Sequence, residues 1–423
     1  MDSERGLNNI RGVKMNKISL VPIYSTNILG KKIDKEINNF LDELNTLEGF
    51  SFELVNINEK TERLTVLLIL GGGTEAKTLE YLRDKEDPVI LLTYPYNNSL
   101  PATFEITAYL QGTGRKAFFV QTIGEWKTEL QEILKIYTAG KNLKNKKIGR
   151  MGQEGKSRYP FEKSPVELIK GNWGPEVIDI SFDELTTKLE KCKDDPRVSE
   201  LVDEMVNGSI KSVEPDSNDI RVAVEVYLAL KDVVNEYRLD AIALKCFDLL
   251  PIIKNTGCYA LAKLNEEGIV ASCEGDILTA TGMLIIRELT GEPSFMANPS
   301  LVDVEKGLLT IAHCTIPRTM CSGYIIRSHF ETGIGVAFQG TMYDDKYTLF
   351  RIGGKNLQEM YVAVTDYQGN GEDEKLCRTQ LSLKFEDPRK VEELLSRPLG
   401  NHHLIVRGNH QDRLLRYYNM FVK

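Results

Sequence analysis

The residues best suited to chemistry lie in the second half of the chain. Cys273-Glu274-Gly275-Asp276 follows a short apolar strand, 269–272, and precedes a helix over 277–289 that Gly291 and Pro293 end. Parallel sheets place their ligands just beyond the C-terminal ends of strands, and Glu274 stands there. It is either a ligand or a salt-bridged surface acid. Asp276 stands where a helix N-cap is expected. The strand 308–313 puts Leu309, Ile311 and His313 on one face, and a histidine closing such a face is ordinarily a satisfied core residue. His402-His403 opens another β run. Adjacent strand residues point to opposite faces, so only one of the two enters a given site. Two strand-borne histidines and a carboxylate suit a divalent metal, although their separations match no local zinc motif.

Other candidates are less specific. Lys245, Cys246 and Phe247 follow the strand 240–244, where a lysine could neutralise substrate charge or simply snorkel at the surface. Tyr94, Tyr96, Asn97 and Asn98 close the strand 88–95, where they suit either a sugar face or a turn. Gly71-Gly72-Gly73 between a strand and a helix invites a phosphate-loop reading. It is not GxGxxG, and a tight turn explains it. A nicotinamide oxidoreductase is therefore only an alternative. All five histidines lie at or after His313, so imidazole chemistry belongs to the C-terminal part.

Elements that would position these residues can be read from periodicity. Strands at 17–28, 51–57, 65–73, 88–95 and 116–122 alternate with helical stretches at 32–48, 75–84 and 126–137. That alternation means βαβ units and a parallel sheet. A second α/β unit starts at 146. From Ser294 onward short strands are separated by Gly, Asn, Asp and Pro, with a helix only at 410–421. The expected fold is α/β: two Rossmann-like α/β domains, 17–144 and 145–293, then a β-rich, antiparallel barrel-like domain, 294–423. Residues 1–16 read as a polar tail.

Composition narrows the function classes. Hydrophobic residues make up 42% and charged residues 27%, as in an ordinary soluble globular protein. A net charge of −8 argues against a nucleic-acid partner. No apolar run is long enough to span a membrane, and the polar N-terminus has no signal-peptide core. A cytoplasmic location is expected. Seven cysteines without a CxxC pair read as buried free thiols.

The run CEGDILTATGMLIIRELTGEPSFMANPSLVDVEKGLLTIAHCTIP (273–317) resembles the L-fucose/L-arabinose isomerase family. It carries that family's E-G-D at a strand end, its "F-M" strand and a strand ending in His. HFETGIGVAFQG (329–340) and PLGNHHLIVRGN (398–409) extend the resemblance, the latter as the family's G-x-H-H segment. Over 17–238 the likeness is one of architecture only. The resemblance implies a metal-dependent aldose–ketose isomerase, usually with Mn²⁺, working through an enediol on fucose, arabinose or a modified hexose. It implies Glu274 as metal ligand and catalytic acid/base, and His313 and His403 as metal ligands, with His402 the alternative to His403. His402, Lys245, Cys246 and Tyr96 would face the sugar, Tyr96 in a neighbouring subunit's pocket. A trimer or hexamer follows from the same likeness. The family's second carboxylate is missing. Ala297-Asn298 occupies its place, and Asn298 can offer a carbonyl oxygen to a metal but cannot act as a base. Either Asp303 takes that role, or one carboxylate works with a metal-bound hydroxide, or the chain does not isomerise the usual sugars; a sugar-binding or regulatory protein without turnover is the main alternative.

Overall fold

The computed structural model describes residues 15–25, 32–59, 61–152 and 163–423. The expected tail 1–16 lies almost wholly outside them, as does the end of the first expected strand. The chain forms two compact units, Met1–Lys135 and Ile136–Lys423.

In the first unit, β1 (Asn16–Ile23), β2 (Phe50–Leu54), β3 (Thr65–Ile69), β4 (Val89–Thr93) and β5 (Ala117–Gln121) form one parallel sheet ordered β2-β1-β3-β4-β5. The strands β3 and β4 are apolar and buried along almost their whole length, as a sheet covered on both faces requires. This order is doubly wound, but it is not the 3-2-1-4-5-6 order of dinucleotide-binding domains. The Gly71–Gly73 turn closes on its own neighbours. The Gly72 N–H donates to the Asn97 carbonyl at 2.8 Å and the Gly73 N–H to the Glu75 carboxylate at 3.3 Å. The helix Ser99–Gly112 is absent from the sequence expectation. Phe104 and Tyr109 are exposed while Ile106 and Leu110 are buried, so no single apolar stripe shows. Its Pro101 sits in the first turn, where no backbone donor is needed.

In the second unit, β6 (Lys147–Met151), β7 (Glu176–Ile180), β8 (Ala241–Leu244) and β9 (Val270–Ser272) form a parallel sheet ordered β7-β6-β8-β9. There follow β10 (Phe295–Asp303), β11 (Leu308–His313), β12 (Cys321–Arg327), β13 (Ala337–Met342), β14 (Lys346–Gly353), β15 (Glu359–Asn370), β16 (Thr379–Phe385) and β17 (His403–Arg407). Six of these close an antiparallel barrel, β10-β11-β16-β15-β14-β17, while β12 and β13 pair as a separate hairpin. The sequence expectation omits β12 and the short helix Arg389–Ser396. That helix spans only two turns, held by Val391 and Leu394, too short for a periodic signal. The expected boundary at 293/294 separates sheet from barrel, yet both belong to one compact unit.

The helix Ile277–Thr290 joins the two layers, packing on β8 and β9 on one side and on β14 and β17 on the other. Gly282 allows the close approach, since a Cβ there would lie 2.8 Å from Leu404 Cδ1. Leu404, Met296 and Phe350 share the outer face of the barrel toward this helix, by register. Phe295, Leu349 and Ile405 share the inner face and are fully buried. No helix of the described residues is long and apolar enough to cross a membrane. Ile405→Ala leaves a cavity among these inner side chains. It is expected to destabilise the unit by about 2–5 kcal/mol, read as a lower denaturant midpoint with unchanged slope. An unchanged midpoint would contradict this placement of the barrel core.

Candidate metal centre

Three side chains converge where the C-terminal edge of the central sheet meets the rim of the barrel. They are Glu274, His313 and His402, with one ligand atom from each lying within 4.8 Å of the others. Among the described residues this is the one such His/Cys/Asp/Glu group. Glu274 follows β9 in the left-handed region, at φ +60°, a conformation that costs a non-glycine residue about 1–3 kcal/mol. His313 is the last residue of β11, and its Nδ1 lies 3.0 Å from the Thr315 hydroxyl. His402 stands one residue before β17. Its Nε2 lies 3.4 Å from Glu274 Oε1, and His313 Nε2 lies 3.9 Å from the same oxygen.

The other nitrogen of His402 is fixed. Nδ1 lies 2.8 Å from Asp276 Oδ2, which leaves Nε2 for the cluster. Asp276 also caps the helix Ile277–Thr290 by accepting from the Thr279 N–H at 2.8 Å, and it accepts from the Thr279 hydroxyl at 2.5 Å. Carboxylate–histidine pairs of this kind set the tautomer of a metal-binding imidazole. Burial pushes the Asp276 carboxyl up, but the Arg351 guanidinium and then His402 more than offset it and hold it well below the usual carboxylate range. His313 and then His402 likewise hold Glu274 ionised. Burial lowers the His402 pKa, yet Asp276 and Glu274 raise it to about 9.

The expectation of His403 as the third donor is corrected to His402. His403 is turned to the inner face of the barrel, where its Nδ1 lies 3.3 Å from the Asn401 carbonyl and its ring meets Tyr361 edge-on. Burial and then Arg351 lower its pKa to about 4, so it stays neutral. His403 opens β17 and faces inward, while His402, just before the strand, turns the other way.

The remaining expected residues divide. Asn298 lies at the same rim, opposite Ala312 in the strand next to His313. The side chain of Asn401 bridges it to His402, 3.5 Å from Asn298 Oδ1 and 3.4 Å from His402 Nε2. Asp303 is not brought to the cluster. It lies five residues further along β10, roughly 16 Å at strand rise, and accepts from the Lys306 N–H at 3.0 Å in the β10–β11 turn. Lys245 follows β8 and pairs with Asp248 at 3.1 Å. Cys246 is disulfide-bonded to Cys273, contrary to the expectation of free thiols. The neighbouring strands β8 and β9 end side by side and bring the two Cα atoms to 6.3 Å. The other five cysteines are free. Tyr96 belongs to the first unit and is 67% exposed. The sequence marks Asp276 only as a helix cap and singles out neither Arg351 nor Asn401. Spacing could have flagged Asn401, beside His402, but nothing local marks Arg351.

The raised pKa of His402 has a sign that can be checked in metal-free protein. Its contribution to stability is fully present below the unfolded imidazole value of about 6.5 and is lost as pH rises through about 9. Wild type in chelator is expected to lose this increment between pH 6.5 and 9, whereas His402→Gln lacks it. A pH-independent difference between the two unfolding midpoints would refute the assignment.

No family model matches the chain. A sulfoquinovose isomerase of a Clostridium species is 26% identical over 207 residues, 47% of this chain and 46% of that protein. The sulfoquinovose isomerases of Priestia aryabhattai and Priestia megaterium are each 23% identical over 222 residues, 50% of this chain and 48% of theirs. The matches thus span about half the length of the curated relatives as well as half of this chain.

Proposed function

We propose that this chain is a divalent-metal-dependent aldose–ketose isomerase of a sulfonated hexose. The observation that carries the reading is the convergence of Glu274, His313 and His402 within 4.8 Å. Two imidazoles and one carboxylate are a donor set for a first-row divalent ion such as Mn²⁺. The relatives are named for sulfoquinovose, a sulfonated hexose, which supports the choice of sugar. Bound there, the ion would polarise the sugar's O1 and O2 and offset the negative charge of the enediol.

The protein's own groups supply the proton chemistry. Glu274 is half-buried and ionised, so it can take the proton from C2 of the aldose. The hydrogen on O2 passes to O1, and the same carboxyl returns its proton to C1, giving the ketose. One carboxylate serving both carbons fits a site from which Asp303 is absent and in which Asn298 stands at the rim. His402, fixed through Nδ1 by Asp276, holds its donor nitrogen toward Glu274.

Chelator-treated protein is expected to lose turnover of sulfoquinovose and regain it with Mn²⁺. Glu274→Gln should lower kcat by about 10²–10⁴-fold at saturating Mn²⁺. Full activity after chelation, or a wild-type Glu274→Gln, would overturn the reading. Single-carboxylate transfer also predicts that part of a C2 deuterium label reaches C1. Complete exchange with solvent would remove that step. A sugar-binding protein without turnover is the second reading, favoured by the distance of Asp303 from the cluster. Sugar-induced thermal stabilisation without any ketose product in Mn²⁺ would establish it.

A further inference from the structure

Arg351 lies on β14, 75 residues beyond Asp276 in sequence, and is 3% exposed. Its contacts fall on two parts of the site's support. Nη1 donates to the Thr279 hydroxyl at 2.8 Å and to the His402 carbonyl at 2.9 Å, and lies 3.5 Å from Asp276 Oδ2. Nε donates to the Leu399 carbonyl at 3.5 Å. The backbone 399–402, which presents His402, therefore lies against this guanidinium.

Two glycines permit that fit. Gly400 has φ +149°, and a Cβ there would lie 2.4 Å from Arg351 Nη2. Gly353, two residues along the same strand and on the same face as Arg351, would place a Cβ 2.5 Å from the Leu399 carbonyl oxygen. The face of β14 at 351 and 353 is thus a template on which the segment 399–402 is pressed. A lysine could supply the charge but not the planar fork that reaches several acceptors at once.

We propose that Arg351 is the positioning residue of the metal centre. It fixes His402 twice, through the backbone carbonyl of His402 itself and through Asp276, the partner of its Nδ1. The proposal rests on the reading of Glu274, His313 and His402 as a metal site. Arg351 reaches none of the three donor atoms. Its effect on metal passes through the direction of His402 Nε2, and partners of this kind change metal affinity by about 10–100-fold.

The test is Co²⁺ titration of the full, metal-stripped chain, followed by visible d–d absorption, on wild type, Arg351→Lys and Gly400→Ala. Circular dichroism checks folding. Arg318→Lys is the control, because Arg318 is a partly buried arginine of the same unit paired with Glu266, and none of its partners belongs to this centre. Arg351→Lys and Gly400→Ala are expected to fold, to bind Co²⁺ about 10–100-fold more weakly and to show an altered band shape, while Arg318→Lys keeps the wild-type affinity and spectrum. If Arg351→Lys fails to fold, Gly400→Ala decides by the same criteria. Wild-type affinity and spectrum in a folded Arg351→Lys or Gly400→Ala overturn the proposal alone. A wild-type chain that takes up no Co²⁺ overturns the metal site, and this proposal with it.

Discussion

A single buried carboxylate, that of Asp276, ties the second unit together at its site. A buried charge is tolerated only when its oxygens are satisfied and its charge is met. Here the helix N-terminus and the Thr279 hydroxyl satisfy it from one side, and His402 and Arg351 from the other. These partners come from the first turn of the helix Ile277–Thr290, the barrel strand β14 and the loop before β17. Removing any one leaves the others facing an uncompensated group, which is why the layers meet in one geometry here. The same carboxylate takes His402 Nδ1 and so turns Nε2 toward Glu274.

The topology decides where that nitrogen goes. All strands of the central sheet run parallel, so their C-terminal ends form one edge, and Glu274 follows the last of them. The barrel presents the end of β11 and the start of β17 at one rim, since Ala297 faces His403 and Asn298 faces Ala312 in the register of β10. The helix Ile277–Thr290 begins at the sheet edge and packs against the barrel, so edge and rim are held together by one rigid element. Gly282 sets how near they come. The strained φ of Glu274 is a local cost of placing a carboxylate in that gap.

Much of this was legible in particular residues. The alternation of strands and helices up to Gly291, and the turn-rich strands after Ser294, determined the two parallel sheets and the β-rich end, because those periods reflect which faces must be buried. Glu274 and His313 stood out because each closes an apolar strand, but that position alone fitted a salt-bridged acid and a core histidine equally, and only the resemblance assigned them to a metal. The sequence also required that only one of His402 and His403 enter a site, since adjacent strand residues face opposite ways. The resemblance pointed to His403, whereas the structure brings His402 to the cluster, because the choice depends on the register of β17 against β10 and β14 rather than on anything local.

Only the tertiary structure decided the rest. It moved Asp303 out of contention, because a strand rise of roughly 3.3 Å per residue carries it to the far turn of β10, while chain proximity had suggested nearness. It paired Cys246 with Cys273 because β8 and β9 are neighbours, an adjacency that no spacing announces. It made Asp276 more than a cap and gave Arg351 a place at the centre. A buried charge finds its partners through space, and a separation of 75 residues along the chain carries no signal of that. The amino-acid order thus determined the kinds of surface to be buried and where chemistry could emerge. The closing of sheet against barrel decided which side chains meet there.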